Sequence, residues 1–226
     1  MPLILNIESA TDVCSVCISD GLQVLALEEA TEPYRHSEKL TVLIQNCLSR
    51  TGLDLKKMDA IALSNGPGSY TSLRVGSSVA KGICYALGLP LIAVDTLKSL
   101  AFAAAAAYPN ADFYCAMIDA RRMEVYTSLF DARLSLLNLA TALIVDANSF
   151  SEVLEKGEVV FCGNGAPKCK EIIRHSNAVF IPQICTASNL IAFSFEKFSK
   201  RDFTDFALYE PFYFKAPNIT VPGKIL

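Results

Sequence analysis

Apolar residues are spaced as strands at the start of the chain and as helices soon after. Leu3–Ile7 is a short apolar run closed by Glu8-Ser9-Ala10-Thr11-Asp12. Val13–Ser19 alternates, Asp20-Gly21 carries a hairpin signal, and Leu22–Leu27 reads as a third strand. From His36 to Arg50 the period changes: Leu40, Leu43, Ile44, Cys47 and Leu48 form one stripe of a helix, with Gly52 at its C-cap. A strand over Ala60–Ser64, the loop Asn65–Ser69 and a helix from about Thr71 to Leu87 follow, the helix closed by Gly88 and Pro90. Leu91–Val94 is again a strand, and Thr96–Ala107 a helix that stops before Pro109.

Three antiparallel strands followed by alternating helix and strand fit a mixed sheet of the ribonuclease H-like kind. The second half repeats the first. Placing Ile7-Glu8 over Ile118-Asp119 brings Val13–Ser19 onto Val125–Phe130 and Asp20 onto Asp131 without gaps. Ser64-Asn65-Gly66 after one strand matches Gly163-Asn164-Gly165 after Val159–Cys162. The expected fold is therefore α/β and duplicated, an actin-like pair of lobes (1–107 and 108–226) facing each other across a cleft.

Composition narrows the class. Of 226 residues, 52% are hydrophobic and 19% charged, enough to build a sizeable core and too apolar for disorder. The formal net charge is −3, and the basic residues are scattered, densest at Lys56-Lys57, Arg121-Arg122 and Lys168/Lys170. Phosphate binding draws on Lys and Arg, so the chain alone is a poor nucleic-acid binder. Met1-Pro2 runs directly into Leu3–Ile7, leaving no signal peptide to read, and Leu100–Tyr108 is far short of a membrane span. A cytoplasmic location and eight reduced, packed cysteines are expected. Cys14 and Cys17 form a C-x-x-C pair, but strand spacing sends them to opposite faces, against metal or redox use.

In a duplicated fold of this kind a nucleotide would sit between the lobes. Glu8 and Asp119 occupy the turns that would face its phosphates through a magnesium ion. The same carboxylates could equally be turn or cap residues. Gly66-Pro67-Gly68-Ser69 can cradle an anion at a helix N-terminus, with Ser69 or Thr71 as the cap, or can be a structural turn. With Gly163 and Gly165 these residues make up the candidate cleft. The matching turn of the second lobe, Ile118–Glu124, contains no glycine, so side chains stand where backbone N–H groups would approach a phosphate. In the helix after the loop, Gly76, Ser77, Ser78, Ala80 and Gly82 make a small-residue surface, for a partner helix or for the lobe's own sheet. With two histidines, His36 and His175, the sequence offers neither a nucleophilic triad nor a zinc set.

Ile4-Leu-Asn-Ile-Glu8, Arg35-His-Ser-Glu-Lys-Leu40, Gly66-Pro-Gly-Ser-Tyr-Thr-Ser-Leu-Arg-Val-Gly76, Ala80-Lys-Gly82, Ile118-Asp-Ala-Arg-Arg-Met-Glu-Val-Tyr126 and Pro211-Phe-Tyr-Phe-Lys215 resemble the signature stretches of the TsaB (YeaZ) family. That family is similar to TsaD, the catalytic subunit of the bacterial tRNA threonylcarbamoyladenosine machinery. TsaD carries a His-x-x-x-His metal pair where this chain has Thr96 and Leu100. A hydroxyl is a weak ligand and leucine none, so no metal is expected. The resemblance implies a non-catalytic subunit with no intrinsic cofactor, ATP or ADP belonging only to the complex. Its partners would be a TsaD-like subunit and a further ATPase subunit, with tRNA reached only through the complex. It also implies a partner surface on the first two helices, drawing on His36, Leu40, Leu73, Arg74, Gly76, Ser77, Ala80, Lys81 and Gly82. The same surface would pair two copies when the chain is alone. Ser72 stands where that family often has glycine. An independent ATPase or phosphotransferase of the actin-like class, or a metallopeptidase-like protein, are the competing readings.

Overall fold

The computed structural model describes residues 1–32 and 35–215. The first lobe runs β1 (Leu3–Glu8), β2 (Cys14–Asp20), β3 (Gln23–Ala30), α1 (His36–Thr51), β4 (Ala60–Ser64), α2 (Tyr70–Leu87), β5 (Leu91–Val94) and α3 (Thr96–Ala107). The second runs β6 (Phe113–Asp119), β7 (Glu124–Asp131), β8 (Leu136–Ile144), α4 (Ser151–Leu154), β9 (Val159–Cys162), α5 (Ala166–Cys169), β10 (Ala178–Phe180) and α6 (Ile191–Ser199).

The strands form two sheets of five, ordered β3-β2-β1-β4-β5 and β10-β9-β6-β7-β8. Each is the same design: three antiparallel strands, then two more laid parallel to the first of them. Glu8 and Asp119 end the first strand of each sheet, and Asp20 and Asp131 end the second. The duplication inferred from the sequence is present, in that register. Cys14 packs beneath α1 while Cys17 lies on the opposite face with Ala187 and Ile191, as their odd spacing requires. All eight cysteines are buried and free.

The helices do not follow the expected boundary at 107/108. α1 and α2 cover one face of the first sheet through Leu40, Leu43, Ile44, Ala80 and Cys84. α3 belongs to the first lobe by sequence, yet Leu97, Leu100, Ala101 and Ala104 pack on Tyr114, Ala116 and Ile118 of the second sheet. α6 makes the return crossing. The segment Leu190–Phe198 covers Ile4, Ala60, Ala62, Ile92 and Val94 of the first sheet. The cause is a shortage of cover: α4 and α5 are four residues each and shield only the outer face of the second sheet. The two crossing helices touch at the surface, where the exposed Phe102 ring lies 5.3 Å edge to face from Phe193.

The segment after α6 ties both lobes together. Thr204 bridges the edge strand at Leu91, Tyr209 enters the first core, Phe212 N–H donates to the Asn65 carbonyl at 2.8 Å, and Phe214 stacks on Tyr126 of the second sheet. Residues 216–226, the end of the expected second lobe, lie outside the described residues. Among the described residues no helix is long and apolar enough to cross a membrane.

One polar contact fixes α6. The Ser194 hydroxyl donates to Asn6 Oδ1 at 2.7 Å, both residues being fully buried. Asn6 itself donates to the Ile4 carbonyl and to Ser19 Oγ. Removing the hydroxyl leaves a buried acceptor unpaired, which costs about 1–3 kcal/mol. Ser194→Ala is expected to lower stability by that amount in urea unfolding. A change below about 0.5 kcal/mol, the size of an ordinary surface substitution, would contradict the assignment.

Candidate functional site

The cleft residues anticipated from the sequence fall into two groups, one at the end of each lobe's first strand, and in each the chain's own atoms pack tightly against the glycines. Glu8 is wholly buried at the end of β1. Its Oε1 accepts from the Ala10 N–H at 2.7 Å, while Oε2 has no partner among the described residues. Burial pushes its pKa up to about 7, against the smaller opposing effect of hydrogen bonds from Ala10, Ser64 and Ser9. Burial, with Glu8 nearby, also raises the Cys14 thiol to about 12 and Cys185 well above the usual thiol range. Neither thiol is a nucleophile at neutral pH.

The Gly66–Ser69 loop is a close-packed joint. Gly66 N–H donates to Thr96 Oγ1 at 3.0 Å and Thr96 N–H returns to the Gly66 carbonyl at 3.1 Å. Gly66 has φ +102°, and a Cβ there would lie 2.6 Å from the Phe212 carbonyl oxygen. At Gly68 a Cβ would stand 2.3 Å from the Ala10 carbonyl oxygen, and Ser69 N–H donates to that same oxygen at 2.7 Å. Ser69 occupies the N-cap of α2 but its side chain makes no cap hydrogen bond; it is paired with Ser72 Oγ at 3.0 Å instead. The expected capping role of Ser69 or Thr71 is therefore corrected. Ser72 is the residue that draws the hydroxyl away.

The second lobe shows the same filling. A Cβ at Gly163 would lie 2.1 Å from the Met117 carbonyl oxygen and 2.6 Å from Leu100 Cδ2. Gly165 donates to the Met117 carbonyl at 3.1 Å. Both glycines exist for close backbone approach. In the β6–β7 turn, Arg121 and Arg122 take left-handed backbone, φ 69° and 52°, where glycine would be unstrained. Lys168 holds the turn: its Nζ lies 2.6 Å from Asp119 Oδ1 and donates to the carbonyls of Arg122 and Glu124 at 2.7 Å each. Asp119 also accepts from Arg121 N–H at 2.7 Å.

These donor sets do not suit a magnesium–nucleotide or a TsaD-type metal. A hard cation needs several oxygen ligands, whereas Glu8 is sealed and Asp119 is already neutralised by an ammonium. Thr96 uses its hydroxyl on Gly66, and Leu100 is core. Among the described residues no group of three potential ligands gathers anywhere.

The anticipated partner surface divides. Leu40, Leu73, Gly76 and Ala80 face the lobe's own interior and cannot present a surface, because α1 and α2 each bury one stripe on the sheet. A Cβ at Gly76 would meet Ser9 Oγ at 2.2 Å. His36 is buried beside the carbonyls of Thr11 and Val13, without completing a hydrogen bond to either, and burial lowers its pKa. Ser77 is buried and bonds back to the Arg74 carbonyl. Arg74 and Gly82 are exposed and Lys81 is half-buried. Sequence reasoning missed Val42, 51% exposed, and Tyr85, 80% exposed, which lie on the outer faces of the same helices. Their departure from the apolar stripe was the available signal. A groove of about 460 Å³ runs between α1 and α2, lined by Val79, Gly82, Ile83, Ala86, Leu87 and Leu55.

Comparison with known proteins gives four concordant matches. The family model described as TsaD, tRNA N6-adenosine threonylcarbamoyltransferase, matches residues 33–221. The tRNA threonylcarbamoyladenosine biosynthesis protein TsaB of Haemophilus influenzae is 34% identical over 125 residues, 55% of this chain and 52% of that protein. Its Escherichia coli counterpart is 37% identical over 123 residues, 54% and 52% respectively. The chain thus spans about half the length of these curated relatives. The solved structure of YeaZ from Pseudomonas aeruginosa superposes with a TM-score of 0.81 at 23% identity, covering 94% of this chain and 100% of that one, and shows the shared fold.

The buried acid supplies a pH test. A carboxyl whose folded pKa is raised contributes fully below its unfolded value, near 4.5, and loses that contribution as pH climbs to about 7. The loss amounts to about 3 kcal/mol. Glu8→Gln keeps a neutral side chain of the same shape. Thermal unfolding should therefore show the variant gaining on the wild type between pH 4.5 and 7, with a constant difference above. A difference that does not vary with pH would mean that Glu8 is not the strained group.

Proposed function

The chain belongs to the family of the tRNA N6-adenosine threonylcarbamoyltransferase model and groups within it with the TsaB (YeaZ) proteins, and on that premise we propose that it is a non-catalytic partner subunit. It would bind a TsaD-like enzyme and support threonylcarbamoyl transfer to a tRNA adenosine in the cytoplasm. A further ATPase subunit would complete the assembly, tRNA would be reached through the complex, and ATP or ADP would enter only there. Without its partner, the same face would join two copies.

The observation that carries this reading is Gly82. It sits in the middle of an 18-residue helix, where glycine costs about 1 kcal/mol relative to alanine. Among the described residues no atom beyond its own stretch of helix lies within 4 Å of the Cβ it lacks, so none of them requires a glycine there. A partner helix seated in the α1–α2 groove would require one, because small residues let helix backbones approach closely. The exposed Val42 and Tyr85 on the same two helices add apolar surface of the kind found at interface centres. The lack of catalytic function draws support from the Lys168–Asp119 pair and from Thr96 and Leu100, each engaged in holding the fold.

Gly82→Leu separates binding from folding. The variant should be at least as stable as the wild type, gaining up to about 1 kcal/mol of helix propensity. Its affinity for the host's TsaD-like protein should fall tenfold or more by calorimetry. Unchanged affinity would remove the groove from the interface. Failure of the wild-type chain to bind that protein at micromolar concentration would remove the proposal itself.

A further inference from the structure

A second groove, of about 850 Å³, lies on the other side of α2 against the segment 209–215. That volume is within the range of small-molecule and cofactor sites, roughly 300–1,000 Å³. Its chemistry differs from the apolar α1–α2 groove. Arg74, Lys81 and Lys215 line it together with Tyr70 and Tyr213, and Glu210 is the acid among them. Arg74 and Lys81 lie two turns apart on α2, and the fold brings the distant Lys215 to them, on a chain of net charge −3.

Planar groups gather in this groove, the two tyrosine rings inclined to each other by 46°. The Tyr70 and Tyr213 rings lie 4.7 Å apart, and the Arg74 guanidinium sits 4.4 Å from the Tyr70 ring centroid. Arg74 is exposed and Tyr70 and Tyr213 are half-buried, so these planar groups offer surface to a further planar ring. Lys81 Nζ is oriented by the carbonyls of Tyr209 at 3.0 Å and Ala207 at 3.5 Å, contacts that leave its charge uncompensated. Lys215 pairs with Glu124. That contact brings the groove's end to the start of β7, immediately after the exposed Arg121-Arg122 turn.

The geometry points to a binding groove for a short stretch of single-stranded RNA. Aromatic stacking platforms interleaved with cations that follow a backbone are the chemistry such strands require. A free nucleotide fits less well, because the cations do not converge. Tyr70 to Lys81 spans about 16 Å of helix at 1.5 Å per residue, a run along a strand rather than a pocket around one triphosphate. The groove is distinct from the α1–α2 groove but adjoins it at Ser78, and its local charge overrides the expectation that the chain alone binds nucleic acid poorly.

The test is fluorescence anisotropy of a labelled mixed-sequence ten-nucleotide RNA titrated with the full chain. A Kd on the order of 10 µM is expected at 50 mM salt. Two phosphates neutralised by Arg74 and Lys81 on a single strand give a log–log salt slope of about −1.4, so binding should weaken roughly sevenfold by 200 mM. Arg74→Ala should weaken binding about tenfold and reduce the slope by about 0.7. Arg74→Lys should restore the slope but not the full affinity, since an ammonium cannot stack. Replacing both Lys56 and Lys57 with alanine, neither of which lines the groove, should change nothing. The proposal falls if no binding occurs at about 100 µM protein, the weak limit of the affinity range of non-specific sites and roughly tenfold above the Kd expected here. It falls equally if the Lys56/Lys57 variant loses as much as Arg74→Ala, which would mean diffuse charge attraction. ATP displacing the RNA at equal concentration would reassign the groove to free nucleotide and overturn the strand reading.

Discussion

A β-sheet in a fold of this design has two apolar faces, and each must be covered. The first sheet gets one cover from α1 and α2, and the second gets one from the single turns α4 and α5 with their neighbouring loops. Two faces remain, and they are turned toward each other. α3 and α6 fill the space between them, each covering the sheet of the opposite lobe. The lobes are joined through a shared internal layer rather than a hinge. That arrangement leaves the ends of β1 and β6, where a nucleotide cleft would open, packed with side chains and backbone.

The cleft is closed by particular contacts rather than by general collapse. Thr96 and Gly66 exchange two hydrogen bonds, Lys168 holds Asp119 and the arginine turn, and the segment after α6 lays Phe212 against the loop. Each of these uses a group that a phosphate or a metal would need. The outer surfaces of α2 are freed by the same arrangement: one buried stripe satisfies the core, leaving an apolar groove on one side and a basic, tyrosine-lined groove on the other.

The first-lobe elements were legible because local signals agree there. α3 was placed at Thr96–Ala107 and Gly52 and Gly88 at helix ends, since Asp, Gly and Pro punctuate those boundaries strongly. The duplication was legible from a constant offset between Ile7-Glu8 and Ile118-Asp119. The exchange of α3 and α6 was not, because periodicity says which face of a helix is apolar and nothing about whose sheet receives it. Gly76 and Gly82 show the same limit. Both read as small residues on one helix, yet one is pressed on Ser9 and the other meets open space, a difference set by helix rotation against the sheet. The filled cleft was half legible: the missing glycines and histidines could be read, while the role of Lys168, far off in sequence, depends on β9 and β6 lying side by side.

The return crossing of α6 has a consequence for the order in which the chain can be completed. During synthesis β5 emerges about a hundred residues before the segment that covers it, an interval of roughly 5–20 s at ordinary elongation rates. Through that interval Ile4, Ala60, Ala62, Ile92 and Val94 have no native cover, and Asn6 lacks its Ser194 donor. The N-terminal lobe therefore cannot mature on the ribosome as an autonomous unit. Nascent chains stalled short of Leu190 would be clients for chaperones, and the two lobes reach their native state together or not at all.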